Sequence, residues 1–365
     1  MKKIMRSAVL MMTAFGCLSS MAISQELPAW VKKLKISGDV GVRTEVINDE
    51  KTDNNFDRVR NRARFRLSLD TNPVDKMTVS FGVETSGTNP TSAWTDFTDF
   101  QNQPLYLAHA YMQYKPNANL TLSGGKLKSS VPYWKPSQLI WKSDVNPYGV
   151  SANITAKLSD NVTFFTNGGL YALTEYRDNE LQADIPMNAI VIVQPGIEAK
   201  QGNFSFKGAL SFQQFSLVNH STATTTWIRS NTSYTLINPA WDVRLNNLVS
   251  SYGLNFNGEY SNNVNDSADQ DTVAYILSFG FGSASLNNFK TWQLAAAYRR
   301  LEANAIPIGF GDTTAYNAEP GKGWEYSAGF GLLKDLSVTA KFFNMTDIAG
   351  DRSQLVSQFD VIYKF

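Results

Sequence analysis

The sequence predicts an all-β chain closed into a transmembrane, antiparallel, up-and-down barrel of about sixteen strands, with fourteen to eighteen as the range. Short periplasmic turns and long extracellular loops complete that expectation. Three observations predict it. Five arginines stand at every second position in Arg58-Val59-Arg60-Asn61-Arg62-Ala63-Arg64-Phe65-Arg66. The same two-residue alternation recurs along most of the chain. The chain begins with an export-type leader and ends on alternate aromatic residues, the last being Phe365.

The leader comes first. Lys2, Lys3 and Arg6 form a positive n-region, Ala8 to Leu18 is a short apolar stretch, and Ala22-Ile23-Ser24 offers small residues for cleavage before Gln25. Residues 1–24 are therefore expected to be a signal peptide, with cleavage after Ala22 as a close alternative. Its removal turns a net charge of +1 into about −2, because three cations and no acid are lost. Cys17, the only cysteine, lies in this leader, so the mature chain has no disulfide framework and no thiolate metal site. A lipidated Cys17 is a competing reading that Ala14-Phe15-Gly16 fits poorly. The balance of 33 Lys+Arg against 32 Asp+Glu argues against a nucleic-acid partner.

Residues 25–33, with Leu27, Trp30 and Val31, read as a short amphipathic lead-in, and residues 34–365 as the barrel. In the first strand Leu34, Ile36, Val40, Val42 and Val46 oppose Lys35, Ser37, Asp39, Arg43 and Glu45. In the second, Arg58, Arg60, Arg62, Arg64 and Arg66 share one face, since successive strand side chains point to opposite sides. Two residues advance ~6.8 Å, so the ladder spans ~27 Å, close to the ~25 Å apolar band of an outer-membrane barrel. At ~7 Å spacing, neighbouring charges repel by ~0.6 kcal/mol in water and far more in a dry core, so the ladder is expected to face water. Asp39, Glu45 and, on the third strand, Glu84 are candidate partners. Five arginines against three acids leave a positive wall.

Met77, Val79, Phe81 and Val83 oppose Thr78, Ser80 and Glu84. Val150 to Leu158 and Phe204 to Phe212 alternate in the same way. Eight or more alternating residues exceed the usual strand of a soluble sandwich. Short polar turns at 71–73, 115–119, 159–161, 201–203 and 333–335 interleave with long connections at 86–103, 128–147, 174–186, 216–232 and 303–321. The least regular stretch is 216–250, where one strand is expected near Tyr234–Leu245. The last strand places Phe359, Val361, Tyr363 and Phe365 on one face, with Gln358, Asp360 and Lys364 opposite.

That terminal strand resembles the assembly signal of Gram-negative outer-membrane barrels, read by the barrel-assembly machinery. Further segments resemble one family, the putative porins of Gram-negative bacteria. They are Leu27-Pro28-Ala29-Trp30-Val31 leading into Lys35-Ile36-Ser37-Gly38-Asp39, the arginine strand, Leu122-Ser123-Gly124-Gly125-Lys126, Leu139 to Gly149, Glu259-Tyr260-Ser261-Asn262-Asn263, and Tyr298 to Pro307. Lys142 and Tyr148 stand where that family more often carries acids. The resemblance implies an integral outer-membrane channel among lipid, with no cofactor, and leaves a homotrimer open because porins often form trimers. It names no solute.

A barrel of this size leaves an aqueous lumen, here lined by Lys, Arg, Asp, Glu, Ser, Thr and Asn. Passive diffusion of small hydrophilic solutes is the expected function, with selectivity set by lining charge and a constriction. The connection 128–147 is the constriction candidate, through Lys128, Tyr133, Trp134, Lys135, Trp141, Lys142 and Asp144. It resembles the loop that folds into many porin barrels; an ordinary exposed loop with interfacial aromatics is the alternative. The ladder offers a second reading, an anion- or phosphate-selective track of guanidinium sites. A structural barrel or an outer-membrane enzyme is the reading from another class. Catalysis is not expected, because the only histidines are His109, expected on a lumenal face with Leu107 and Tyr111 and with no nearby serine, and His220, in a loop. Two isolated histidines without cysteine do not make a metal site.

Overall fold

The structure is a computed structural model, and it describes residues 29–50, 56–86, 90–98, 102–173, 189–216, 233–265, 270–307, 309–312, 314, 316 and 319–365. The leader with Cys17, the connection 174–186 and the loop carrying His220 lie outside the described residues. A one-turn helix, α1 (Ala29–Lys32), occupies the lead-in. Its Trp30 carbonyl accepts a hydrogen bond from Thr71 Oγ1 at 2.8 Å.

Seventeen β-segments follow: β1 (Lys35–Asp49), β2 (Phe56–Thr71), β3 (Met77–Thr85), β4 (Thr95–Asp96), β5 (Leu105–Tyr114), β6 (Leu120–Lys126), β7 (Tyr148–Lys157), β8 (Val162–Ala172), β9 (Ala189–Gln201), β10 (Phe204–Ser216), β11 (Tyr234–Val249), β12 (Tyr252–Asn263), β13 (Val273–Ser283), β14 (Trp292–Leu301), β15 (Gly321–Leu333), β16 (Leu336–Thr346) and β17 (Ser353–Lys364). Each wall strand pairs antiparallel with its neighbours, and β17 pairs with β1, so the sheet closes on itself. Closure satisfies the edge groups that lipid cannot. The wall has sixteen positions because β3 and β4 share one, each pairing with a different part of β2. The expected strand count is therefore met. The irregular stretch resolves into β11, four residues longer than expected and bulged between Leu245 and Val249.

Alternation sorts the two faces. Val40, Val42, Val59, Phe81, Val150, Phe212, Phe359 and Val361 are exposed on the outside, while Asp39, Arg43, Glu45, Ser151, Ser211 and Asp360 are buried inside. One alternation slips. A bulge between Gly82 and Val83 on β3 inserts Ala108 into β5. Leu107 therefore moves to the exposed face, while His109 and Tyr111 stay buried. The expectation that Leu107 shares their face is corrected, because a bulge shifts the alternation by one residue.

The interior is not uniformly wet. Toward the long-loop end, Tyr171, Ile190, Ile192, Phe215, Leu236 and Ile276 point inward and form one apolar cluster with Leu139, Ile140, Trp141 and Phe310 from two loops. A smaller cluster joins Tyr316 to Phe343, Met345 and Val356. These inward apolar faces are stable only because loops cover them, removing them from water.

Candidate functional site

The ladder sits where the sequence places it, on the inner face of β2, and the register shows what surrounds it. Arg66 lies across from Asp39, Arg64 from Gly41, Arg62 from Arg43 and Arg60 from Glu45. Arg62 facing Arg43 would be a destabilising like-charge pair. Three carboxylates resolve it. Arg43 makes a two-pronged bond to Asp360 at 2.6 and 2.8 Å. Glu45 lies 4.0 Å from Arg43 and 3.8 Å from Arg62, and it also takes the Arg60 guanidinium. Asp96 reaches Arg62 at 2.8 Å, Arg58 at 3.1 Å and Arg60 at 3.4 Å. Lower on the wall, Asp39 bonds both Arg64 and Arg66 at 2.7 Å.

The acids are thus more numerous than sequence reasoning allowed. Asp39 and Glu45 engage the ladder. Glu84 stands across from Arg66 in the register, yet it makes no ion pair with the ladder among the described residues. Asp96 and Asp144 do that work instead, while Asp360 takes the neighbouring Arg43. No local pattern announces them, because they come from the 86–103 and 128–147 connections and from the last strand.

The connection 128–147 lies inside the barrel, stretched over the wall opposite the ladder. Several anchors fix it. Gln194 on β9 accepts from the Trp134 amide at 2.8 Å and donates to the Trp134 carbonyl at 2.7 Å. Ser137 donates to the buried Glu259 of β12, which also faces Asn238 at 3.5 Å. Trp141 is fully buried, its indole donating to the Val145 carbonyl at 2.8 Å. Its ring packs against Phe310, Tyr133, Tyr171 and Phe215 at centroid distances of 5.3 to 6.4 Å. Lys128 donates to Ser68 Oγ at 3.0 Å and lies 3.6 Å from Asp70. Asp144 lies 3.6 Å from Arg66, so the loop touches the ladder.

Residues 309–312 of the connection after β14 also lie inward and pair with the first loop. The Lys142 amide donates to the Phe310 carbonyl at 2.7 Å, and the Asp312 amide to the Gln138 carbonyl at 3.0 Å. Lys142 Nζ lies 3.3 Å from the Asp312 carboxylate, which also faces Arg299 at 3.9 Å. Burial alone would raise the Asp312 carboxyl, but Lys142 and Arg299 hold it well below the usual carboxylate range. Lys135 has no such partner at contact distance among the described residues. Its ammonium stands 5.4 Å over the Tyr133 ring and 5.7 Å over that of Trp141. Burial pushes its pKa down to about 7, against the pull of Glu259 and Asp144.

Between the ladder and the two loops remains a cavity of about 480 Å³. It is lined by Arg43, the ladder from Arg60 to Arg66, Lys142 and Lys341, with Glu45, Asp144 and Asp312 as its acids. Trp94 and Ser92 reach it from the chain between β3 and β4. Nothing local in the sequence marks that segment or Lys341, since 86–103 reads only as a long connection.

His109 needs one correction. Ser68 Oγ lies 3.3 Å from its Nε2, so a serine does stand beside it. The ring takes the space beside Gly82 that a side chain would need, since an added Cβ would sit 2.1 Å from Cε1. Ser68 also takes Lys128 and faces Asp70 at 3.4 Å. This is a packed polar cluster of the inner wall. On the last strand, Phe359, Val361, Tyr363 and Phe365 are exposed on the outer face, and Phe365 exchanges backbone hydrogen bonds with Gly38 at 2.9 and 3.1 Å.

Comparison with known proteins agrees with this architecture. The chain is similar to Pseudomonas putida OprB in its high-pH structure, with a TM-score of 0.63, 11% identity, and coverage of 92% of this chain and 95% of the other. It is also similar to the outer membrane channel DcaP of Acinetobacter baumannii, at TM-score 0.54, 14% identity and coverage of 91% and 97%. Salmonella typhi OmpF, solved with daunomycin, gives 0.53 and 13% over 91% and 97%. At such identities the likeness is one of fold. Compared by sequence with curated proteins, the chain finds no match. The family model described as "Putative porin" matches residues 46–260 and 238–365, nearly all of the barrel, and the chain belongs to that family.

Proposed function

We propose that the protein is an outer-membrane porin through which small hydrophilic solutes diffuse passively, narrowed at the cavity between the ladder and the inward loops. One observation carries this: a closed barrel whose polar interior keeps an open, charge-lined cavity of about 480 Å³. Arg58 to Arg66, Asp39, Arg43 and Glu45 are its pore lining, with Glu84 across from Arg66. Residues 128–147 are its constriction. The test is reconstitution. Planar bilayers should show stepwise conductance, and liposomes should swell in sugars, amino acids and phosphate esters at rates that fall with solute size. A purified, folded barrel that conducts nothing would overturn the proposal.

The excess of cations around the cavity favours a second reading, a preference for anions. Arg43, Arg60, Arg62, Arg64, Arg66, Lys142 and Lys341 line it against Glu45, Asp144 and Asp312. Reversal potentials in a salt gradient test this, and a cation preference would exclude it. Export would remove residues 1–24, which intact mass checks. Phe359, Val361, Tyr363 and Phe365 would engage lipid and the assembly machinery. A homotrimer is testable by cross-linking in the membrane.

A further inference from the structure

The third wall position is where one strand leaves the sheet and another piece of chain takes its place. β3 ends at Thr85 and the chain returns to β2 at Thr95. Hydrogen bonds fix both ends. Thr85 Oγ1 accepts from the Phe65 amide at 3.0 Å and donates to the Ala93 carbonyl at 2.8 Å. Beyond β4, the Phe97 amide donates to the Asn61 carbonyl at 2.8 Å. The returning segment sets Trp94 and Asp96 directly on the ladder.

Trp94 is buried, 4.2 Å from the Arg43 guanidinium and 4.6 Å from that of Arg64. It fits because Gly41 has no side chain; a Cβ there would lie 2.8 Å from the indole rim. Its carbonyl accepts from Arg62 at 2.8 Å. Asp96 neutralises the upper ladder through three ion pairs. The arginine side chains accordingly run from 45% exposed at Arg58 through 23% at Arg60 to 12% at Arg62 and Arg64, and back to 37% at Arg66. The ladder is open at both ends and covered in the middle. Arg43 and Arg64 already have carboxylate partners in Asp360 and Asp39, so the indole is not needed to satisfy them. What it does is cover a face of each guanidinium and take a share of the cavity wall that they line.

We propose that the segment Thr91–Asp96 sets ion selectivity by covering the ladder, so that a wall able to conduct small anions from arginine to arginine is interrupted at its centre. Trp94 acts by occlusion and Asp96 by charge. The inference rests on the channel reading above, and the experiment separates the two. Wild type, Asp96→Asn, Asp96→Glu and Trp94→Ala are compared in planar bilayers under a potassium chloride gradient. One unit charge ~7 Å from an ion in water changes its local concentration roughly threefold. Asp96→Asn should therefore raise the anion-to-cation permeability ratio at least about threefold, and Asp96→Glu should leave it at the wild-type value. Trp94→Ala should raise both conductance and the anion share. Should Trp94→Ala fail to insert, the two Asp96 variants decide alone. Conducting Asp96→Asn channels with wild-type reversal potentials would overturn the inference. Absence of conductance in wild type would instead overturn the channel reading, before any variant is considered.

Discussion

Trp141→Ala tests whether the inward loop is anchored as described. The indole is fully buried, surrounded by four aromatic rings and held by one hydrogen bond to Val145. Truncating such a side chain costs ~3–5 kcal/mol. Every ~1.4 kcal/mol is a factor of ten in population, so the undocked loop should become roughly 10²- to 10⁴-fold more populated. The sixteen-position wall does not depend on this ring, so the barrel should remain folded. Limited trypsin digestion of the detergent-solubilised protein reads the change. Cleavage after Lys142 should accelerate by about two orders of magnitude or more, whereas Lys135 is a poor site because Pro136 follows it. Single-channel records should gain a larger conductance level. Trp141→Phe keeps most of the packing and should fall between. A folded Trp141→Ala barrel with wild-type protease resistance and wild-type conductance would refute the anchoring argument.

Two further outcomes follow from buried charges. Lys135 is depressed to about 7 in the docked loop, against ~10.4 when free. Between these values the undocked loop binds a proton that the docked loop does not, so docking should strengthen as pH rises from 7 toward 10 and be flat below 7. Large-conductance openings should become rarer from pH 7 to 9, and Lys135→Met should abolish that dependence. At the closing pair of strands, Asp360→Ala leaves the buried Arg43 guanidinium with Glu45, at 4.0 Å, as its one carboxylate among the described residues. Breaking one side of a buried pair costs ~3–5 kcal/mol; the remaining Glu45 contact points to the lower end, measurable as a reduced urea midpoint of the reconstituted barrel.

The barrel wall was legible because the environment imposes a period of two. Lipid outside and water inside force opposite chemistry on adjacent residues, and Val40 against Asp39 or Phe359 against Asp360 carry that signal locally. The loop 128–147 was legible as a candidate through its aromatic and charged content. What the sequence does not display is the apolar inner wall. In Ala189-Ile190-Val191-Ile192-Val193 both faces are apolar, because one meets lipid and the other meets Trp141 and Phe310. Alternation vanishes there, although the strand does not. The acid partners of the ladder were equally hidden. Asp96 and Asp144 lie in connections with no regular pattern, and Asp360, the partner of the neighbouring Arg43, reaches it only when β17 meets β1. The bulge at Ala108 shifted Leu107 outward for the same kind of reason, a backbone adjustment with no compositional mark.

The Arg43–Asp360 pair has a consequence for how the barrel is completed. Its members are 317 residues apart, so the contact forms only after all intervening strands are in place, and such distant pairings are slow to find. Up to that point β1 and β17 have several offsets available. A one-residue slip would turn Asp360 outward into lipid and carry Phe359 and Val361 inward, since a single step inverts every side chain. It would also take from Arg43 its two-pronged partner in the interior. The correct offset alone satisfies both the guanidinium and the outer aromatics, while the Gly38–Phe365 backbone exchange closes the far end. The seam thus carries its own proofreading: charge inside and rings outside agree on one register, and a mis-zipped barrel would be the least stable way for this chain to end its folding.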